Sequence, residues 1–109
     1  MKPVLTTFEG GATSSSDADC TRYDLVPPIA LRRVAQVLAE GAVTHGECNW
    51  MKGIPASALI NHLIRHIELL RSGDKSEDHA AHASCRLVML MHFQETRPDL
   101  MDLPFATKE

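Results

Sequence analysis

The chain has 109 residues, 44% of them hydrophobic and 23% charged, with a formal net charge of -3. That length makes one small domain and leaves no room for a dinucleotide-binding sheet with a second substrate domain, or for an eight-stranded barrel with its helices. The slightly acidic balance argues against direct grip on nucleic-acid phosphates or on an anionic membrane surface. No apolar run approaches the roughly 20 residues of a bilayer span, and the start MKPVLTTFEGG lacks the apolar core of a secretion signal. The three cysteines, Cys20, Cys48 and Cys85, form no CxxC pair, so neither a disulfide framework nor a zinc ribbon is expected and a reducing cytoplasm is the default.

Residues 1–20 contain GGATSSSDAD, a small polar stretch with almost nothing to bury, and read as a flexible arm without a fold. The first helix starts at Pro27-Pro28, where a missing N–H costs nothing, and carries Ile29, Leu31, Val34, Ala35, Val37 and Leu38 at helical spacing. Gly41 and then Gly46 are its stops, with His45 near the C-terminus. After the loop GECNWMKGIP, a second helix runs from Pro55 to about Arg71, with Leu59, Ile60, Leu63, Ile64, Ile67 and Leu70 as its apolar stripe and Gly73 beyond its end. Ser76-Glu77-Asp78 is cap chemistry for a third helix, whose core face is Ala80, Ala83, Leu87, Leu90, Met91 and Phe93. No strand pattern interrupts this region, so the expected fold is all-α, a small bundle of three main helices over residues 21–96. The tail, 97–109, is broken by Pro98 and Pro104 and offers isolated apolar residues for packing.

Six histidines stand out, and two helices carry most of them. His62 and His66 lie four apart on one face of the second helix, with Arg65 beside them; this side faces water, a ligand or another subunit. In the third, Asp78-His79-x-x-His82 puts an acid and two imidazoles into the first turn and a half, a spacing that can hold one divalent ion. The plainer alternative makes Glu77 and Asp78 dipole-complementing caps beside exposed histidines. In the loops, Arg22-Tyr23-Asp24 offers a cation, a ring and a carboxylate, and Asn49-Trp50-x-Lys52 an amide, an indole and a second cation. An aromatic ring beside an amide suits purine recognition, while a lone tryptophan also serves as a core plug. Cys85 falls among core positions and reads as a buried, inert thiol.

In this order, Arg22-Tyr23-Asp24-Leu25-x-Pro27, Gly41-Ala42, Gly46-x-x-Asn49-Trp50-x-x-Gly53, Arg65-His66 and Glu77-Asp78-His79-x-x-His82-Ala83 resemble the phage-associated dATP/dGTP diphosphohydrolase N-terminal domain family, related to the MazG-like all-α nucleoside triphosphate pyrophosphohydrolases. The likeness spans roughly residues 22–93. It implies cleavage of a purine (d)NTP between the α and β phosphates, Mg²⁺ or Mn²⁺ as cofactor, and assembly into homo-oligomers, dimers or tetramers. Members of the MazZ type act on dGTP and GTP in phage nucleotide metabolism, which favours guanine over dATP here. The EExxE and ExxD acidic pattern of MazG-like enzymes is not present; the acids on hand are Glu40, Glu47, Glu68, Asp74, Glu77 and Asp78, and the segment between Gly73 and His79 is shorter than in many relatives.

The resulting expectation is metal-assisted hydrolysis. Glu40, Asp78 and His79 are the catalytic candidates; His66, Glu77, Asp78, His79 and His82 the metal ligands; Arg22, Tyr23, Asp24, Asn49, Trp50, Lys52 and Arg65 the substrate-binding residues. A histidine-rich ligand set leans toward Mn²⁺. Two rival readings stand beside it: a non-catalytic helical interaction module, and an HD-like hydrolase releasing inorganic triphosphate.

Overall fold

The computed structural model describes residues 5–15 and 21–107. Three helices carry the fold: α1 (Pro28–His45), α2 (Ala56–Arg71) and α3 (His79–Thr96). Short 3₁₀ turns precede α1 (Tyr23–Leu25), join α1 to α2 (Asn49–Lys52) and follow α3 (Pro98–Leu100). The arm, expected to carry no fold, contains a small antiparallel hairpin, β1 (Leu5–Thr7) with β2 (Thr13–Ser15), in the register Leu5↔Ser15, Thr6↔Ser14 and Thr7↔Thr13. Its turn closes through Phe8 N–H to Ala12 O at 2.7 Å and Gly11 N–H to Phe8 O at 2.9 Å. The rest of the arm, 1–4 and 16–20, lies outside the described residues.

The helix boundaries follow local chemistry. Pro28 occupies the first turn of α1, and Gly46, with φ of 97°, ends it. At the other end of α2 the chain reverses through Gly73 (φ 85°), where Gly73 N–H meets Leu70 O and Asp74 N–H meets Leu69 O, both at 3.1 Å. Asp78 caps α3 by accepting Ala81 N–H at 3.2 Å. The N-terminus of α2 has no such residue of its own, and the tail supplies one. Asp102 accepts Ser57 N–H at 2.9 Å and the Ser57 hydroxyl at 2.6 Å.

Helix α3 packs most extensively on α2 and also on α1, so it lies between the other two. A helix covered on two sides buries two stripes rather than one. This explains the difference from the expected core face. Ala83 and Phe93 are buried as anticipated, but His79, Ala81, Cys85 and Met89 join them, whereas Leu87 and Met91 stay 46% and 52% exposed. On the side toward α1 the Cys85 thiol donates to Val34 O at 3.3 Å, and burial raises its pKa.

The central cluster is Leu59, Met89 and Phe93, with Leu38, Trp50, Ile54, Leu90, Leu100 and Met101 packed around it. The tail therefore completes the chain's own core through Leu100 and Met101. On α2 the apolar stripe splits. Leu59 is fully buried against α3, while Ile64 and Leu70 remain about half exposed. The chain is open for its length, with a radius of gyration of 18.4 Å, where a compact chain of this size measures about 13 Å.

Candidate active site: a histidine cluster at the head of a cleft

The turn at Gly73 returns the chain so that the start of α3 lies against the C-terminal half of α2. His66 of α2 thereby meets His79 and His82, one turn apart on α3. The His66 and His79 Nδ1 atoms are 3.0 Å apart, and the His66 and His82 rings stack with centroids at 5.0 Å and 19° between planes. Glu77, just before the helix, brings Oε1 to 3.3 Å from His66 Nδ1 and 3.6 Å from His79 Nδ1.

Behind them, Asp74 Oδ2 lies 2.5 Å from His79 Nε2 and accepts the Ser76 hydroxyl, also at 2.5 Å. The Ser76 hydroxyl first, and then the His79 ring, hold the Asp74 carboxyl down at about 2. As a carboxylate it can only accept, so His79 Nε2 carries the hydrogen in that contact. In the neutral form of His79 its Nδ1 is then an acceptor, and His66 Nδ1–H is the donor that faces it. The His66 Nε2 lone pair is left free. Burial, aided by His82, lowers the His66 pKa, which keeps that lone pair available at neutral pH. The chain Asp74–His79–His66 thus fixes ring orientation and tautomer, as outer partners of metal-bound histidines do.

One donor atom from each of His66, Glu77 and His82 lies within 4.8 Å of the other two, close enough to converge on one ion. Two imidazoles and a carboxylate suit Mn²⁺ or another transition ion better than Mg²⁺, which prefers oxygen. Asp78, expected among the ligands, is committed elsewhere. Its two oxygens accept from Arg33 Nη2 at 2.6 Å and Nε at 2.9 Å, and this pair holds its carboxyl at about 2. His79, 3% exposed, stands behind the open face of the cluster.

Glu40 Oε2 approaches His82 Nε2 to 3.9 Å from α1, and both residues also line a cleft of about 760 Å³ between α1, the 49–52 turn and α3. The cluster therefore opens into the cleft through His82 and Glu40. Asn49 and Trp50 line the cleft as well. Trp50 also serves the core, edge-on to His92 (5.4 Å) and Phe93 (5.6 Å). The other substrate-binding candidates are not brought to the cleft. Arg22 and Asp24 pair with each other at 2.7 Å, Tyr23 is 79% exposed, and Lys52 and Arg65 are exposed outside its lining.

Three residues emerge only with the fold. Arg33 has no sequence signal, because its partner lies 45 residues away. Asp74 looked like a generic acid, though the Gly73 turn beside it is a legible marker. Arg86 lines the cleft and lies four residues after His82, a spacing that places it on the same face of α3.

These features define a small all-α protein with a histidine–carboxylate centre at the head of a cleft. The chain belongs to the family described as dATP/dGTP diphosphohydrolase, N-terminal, which matches residues 10–103. No curated protein and no solved structure matches it. Among the described residues, no helix is long and apolar enough to cross a membrane.

Proposed function

We propose that this chain hydrolyses a purine (d)NTP at the α–β phosphoanhydride, releasing the nucleoside monophosphate and pyrophosphate, with dGTP and GTP favoured over dATP. The family supports the reaction class, and one structural observation carries the assignment of place: the histidine cluster and the cleft share His82 and Glu40.

His66, Glu77 and His82 would hold a divalent ion, Mn²⁺ or Mg²⁺, and their nitrogen and oxygen donors fit such an ion. Bound there, it supplies charge neutralisation of the phosphate oxygens and a lowered pKa for an attacking water. Asp74 and His79 orient His66. Glu40, exposed beside His82, accepts the water's proton, water oxygen bonds to Pα, and the Pα–O bond to the β phosphate breaks with pyrophosphate leaving. Trp50 and Asn49 form the wall on which the base rests.

The functional unit in this reading is a homo-oligomer acting in the cytoplasm, in phage nucleotide metabolism, on free nucleotide rather than nucleic acid. Its support is the apolar surface left open on one chain: Ile64 and Leu70 of α2 and Leu87 and Met91 of α3 are each about half exposed. A single core this small is marginal alone.

The test is product identification after incubation with each (d)NTP and Mn²⁺ or Mg²⁺. Monophosphate with pyrophosphate is expected. Inorganic triphosphate, or no turnover by a folded oligomer, overturns the assignment.

A further inference from the structure

Four of the chain's arginines are spent on carboxylates: Arg22 on Asp24, Arg33 on Asp78, Arg71 on Glu68 and Arg97 on Asp99. Arg86 is different. It is half-buried in the cleft wall, makes no hydrogen bond or ion pair among the described residues, and is the one arginine or lysine among those lining the cleft. Two acids, Glu40 and Glu47, line the same cleft, yet neither reaches ion-pair distance of its guanidinium. A cation held part-way out of water with carboxylates near but not paired has unmet capacity for an anionic ligand.

Its position narrows the ligand. Arg86 follows His82 by one helical turn, about 6 Å along α3. Arg86 therefore lies beside the histidine cluster, and Trp50 and Asn49 line the same cleft from the 49–52 turn. A planar fork of N–H donors there matches phosphate oxygens bidentately.

We propose that Arg86 anchors the phosphate chain of the bound nucleotide, gripping the β and γ phosphates and so binding inorganic pyrophosphate as well. This rests on the hydrolase reading above for its substrate. Arg65 and Lys52, expected among the substrate-binding residues, do not line the cleft.

The experiment is calorimetric titration of wild type, Arg86→Gln and Arg86→Lys with inorganic pyrophosphate and separately with dGMP, in the presence of Mn²⁺. The KM for dGTP is measured alongside. Loss of charge-assisted bonds to phosphate should weaken pyrophosphate binding of Arg86→Gln roughly 10- to 100-fold and raise KM in step, with Arg86→Lys intermediate. Affinity for dGMP should stay within about 2-fold of wild type. Unchanged pyrophosphate affinity in Arg86→Gln, confirmed as folded by its melting curve, overturns the proposal, and so does an equal loss toward dGMP. A wild type that turns over no nucleotide, but whose pyrophosphate binding still depends on Arg86, overturns the hydrolase reading and leaves the anion site standing.

Discussion

Asp78 and Arg33 meet across 45 residues of sequence, guanidinium to carboxylate at 2.6 and 2.9 Å, at the point where α1 touches the start of α3. The same carboxylate caps α3 through Ala81 N–H. One side chain thus ends a helix and ties it to its neighbour, next to the residues that build the site. Both partners are more than a third exposed, so solvent screens the pair. Arg33→Ala should therefore destabilise only slightly. Asp78→Ala should cost more, about 1–2 kcal/mol, because the cap is lost with the pair. Urea melts of both variants and of the double variant check this.

Acid should loosen the fold through the same group. Asp74 and Asp78 are held at about 2 against an ordinary 3.8. A carboxyl depressed in the folded state adds stability that is complete above the unfolded value and lost as pH falls through the folded one. The melting temperature should therefore drop between about pH 4 and pH 2. Asp78→Asn keeps a capping side chain but removes the charge, and should flatten that slope relative to wild type.

Gly53 should not tolerate alanine. Its φ is 114°, and an added Cβ meets Arg97 Nη1 at 3.2 Å and Leu100 Cδ1 at 3.3 Å. Left-handed strain and the close approach together predict a loss of about 1–3 kcal/mol, read from thermal unfolding. Gly41→Ala, with open space around it, is the control and should be neutral or stabilising.

Leu59 is fully buried between α2 and α3. Truncation to alanine should cost about 2–5 kcal/mol by removing buried carbon and leaving a cavity. Ile64→Ala on the exposed side of α2 should cost little in a monomer and lower the oligomer's melting temperature if that face is covered, so the two variants compared by sedimentation and melting separate core from interface.

The metal reading predicts a graded series. His82→Ala and His66→Ala remove ligands and should abolish Mn²⁺ binding measured by paramagnetic resonance. Asp74→Asn leaves the ligands and disturbs only their orientation, so affinity should fall about 10- to 100-fold. Equal Mn²⁺ affinity in all three variants and wild type contradicts the site.

Much of the fold was legible in the sequence because its signals are local. Pro28 and Gly46 bound α1, Gly73 follows the end of α2 and Asp78 caps α3, all by backbone chemistry that acts within a few residues, whereas Gly41, expected as a first stop, lies inside α1. The buried face of α3 was not legible, since only packing shows that two helices, not one, cover it. His79 and His82 were readable as a pair by spacing and the family resemblance added His66, but the order among them, with His79 behind and His82 in front, depends on the Gly73 turn. Arg33 carried no signal because a pair made across 45 residues leaves no periodic trace.

The central claim is attack of water at the α phosphorus. Turnover of dGTP in heavy-oxygen water, with mass analysis of both products, tests it most directly. The account predicts the heavy oxygen in the phosphate of dGMP and none in pyrophosphate. Label in the pyrophosphate, or release of inorganic triphosphate, contradicts it.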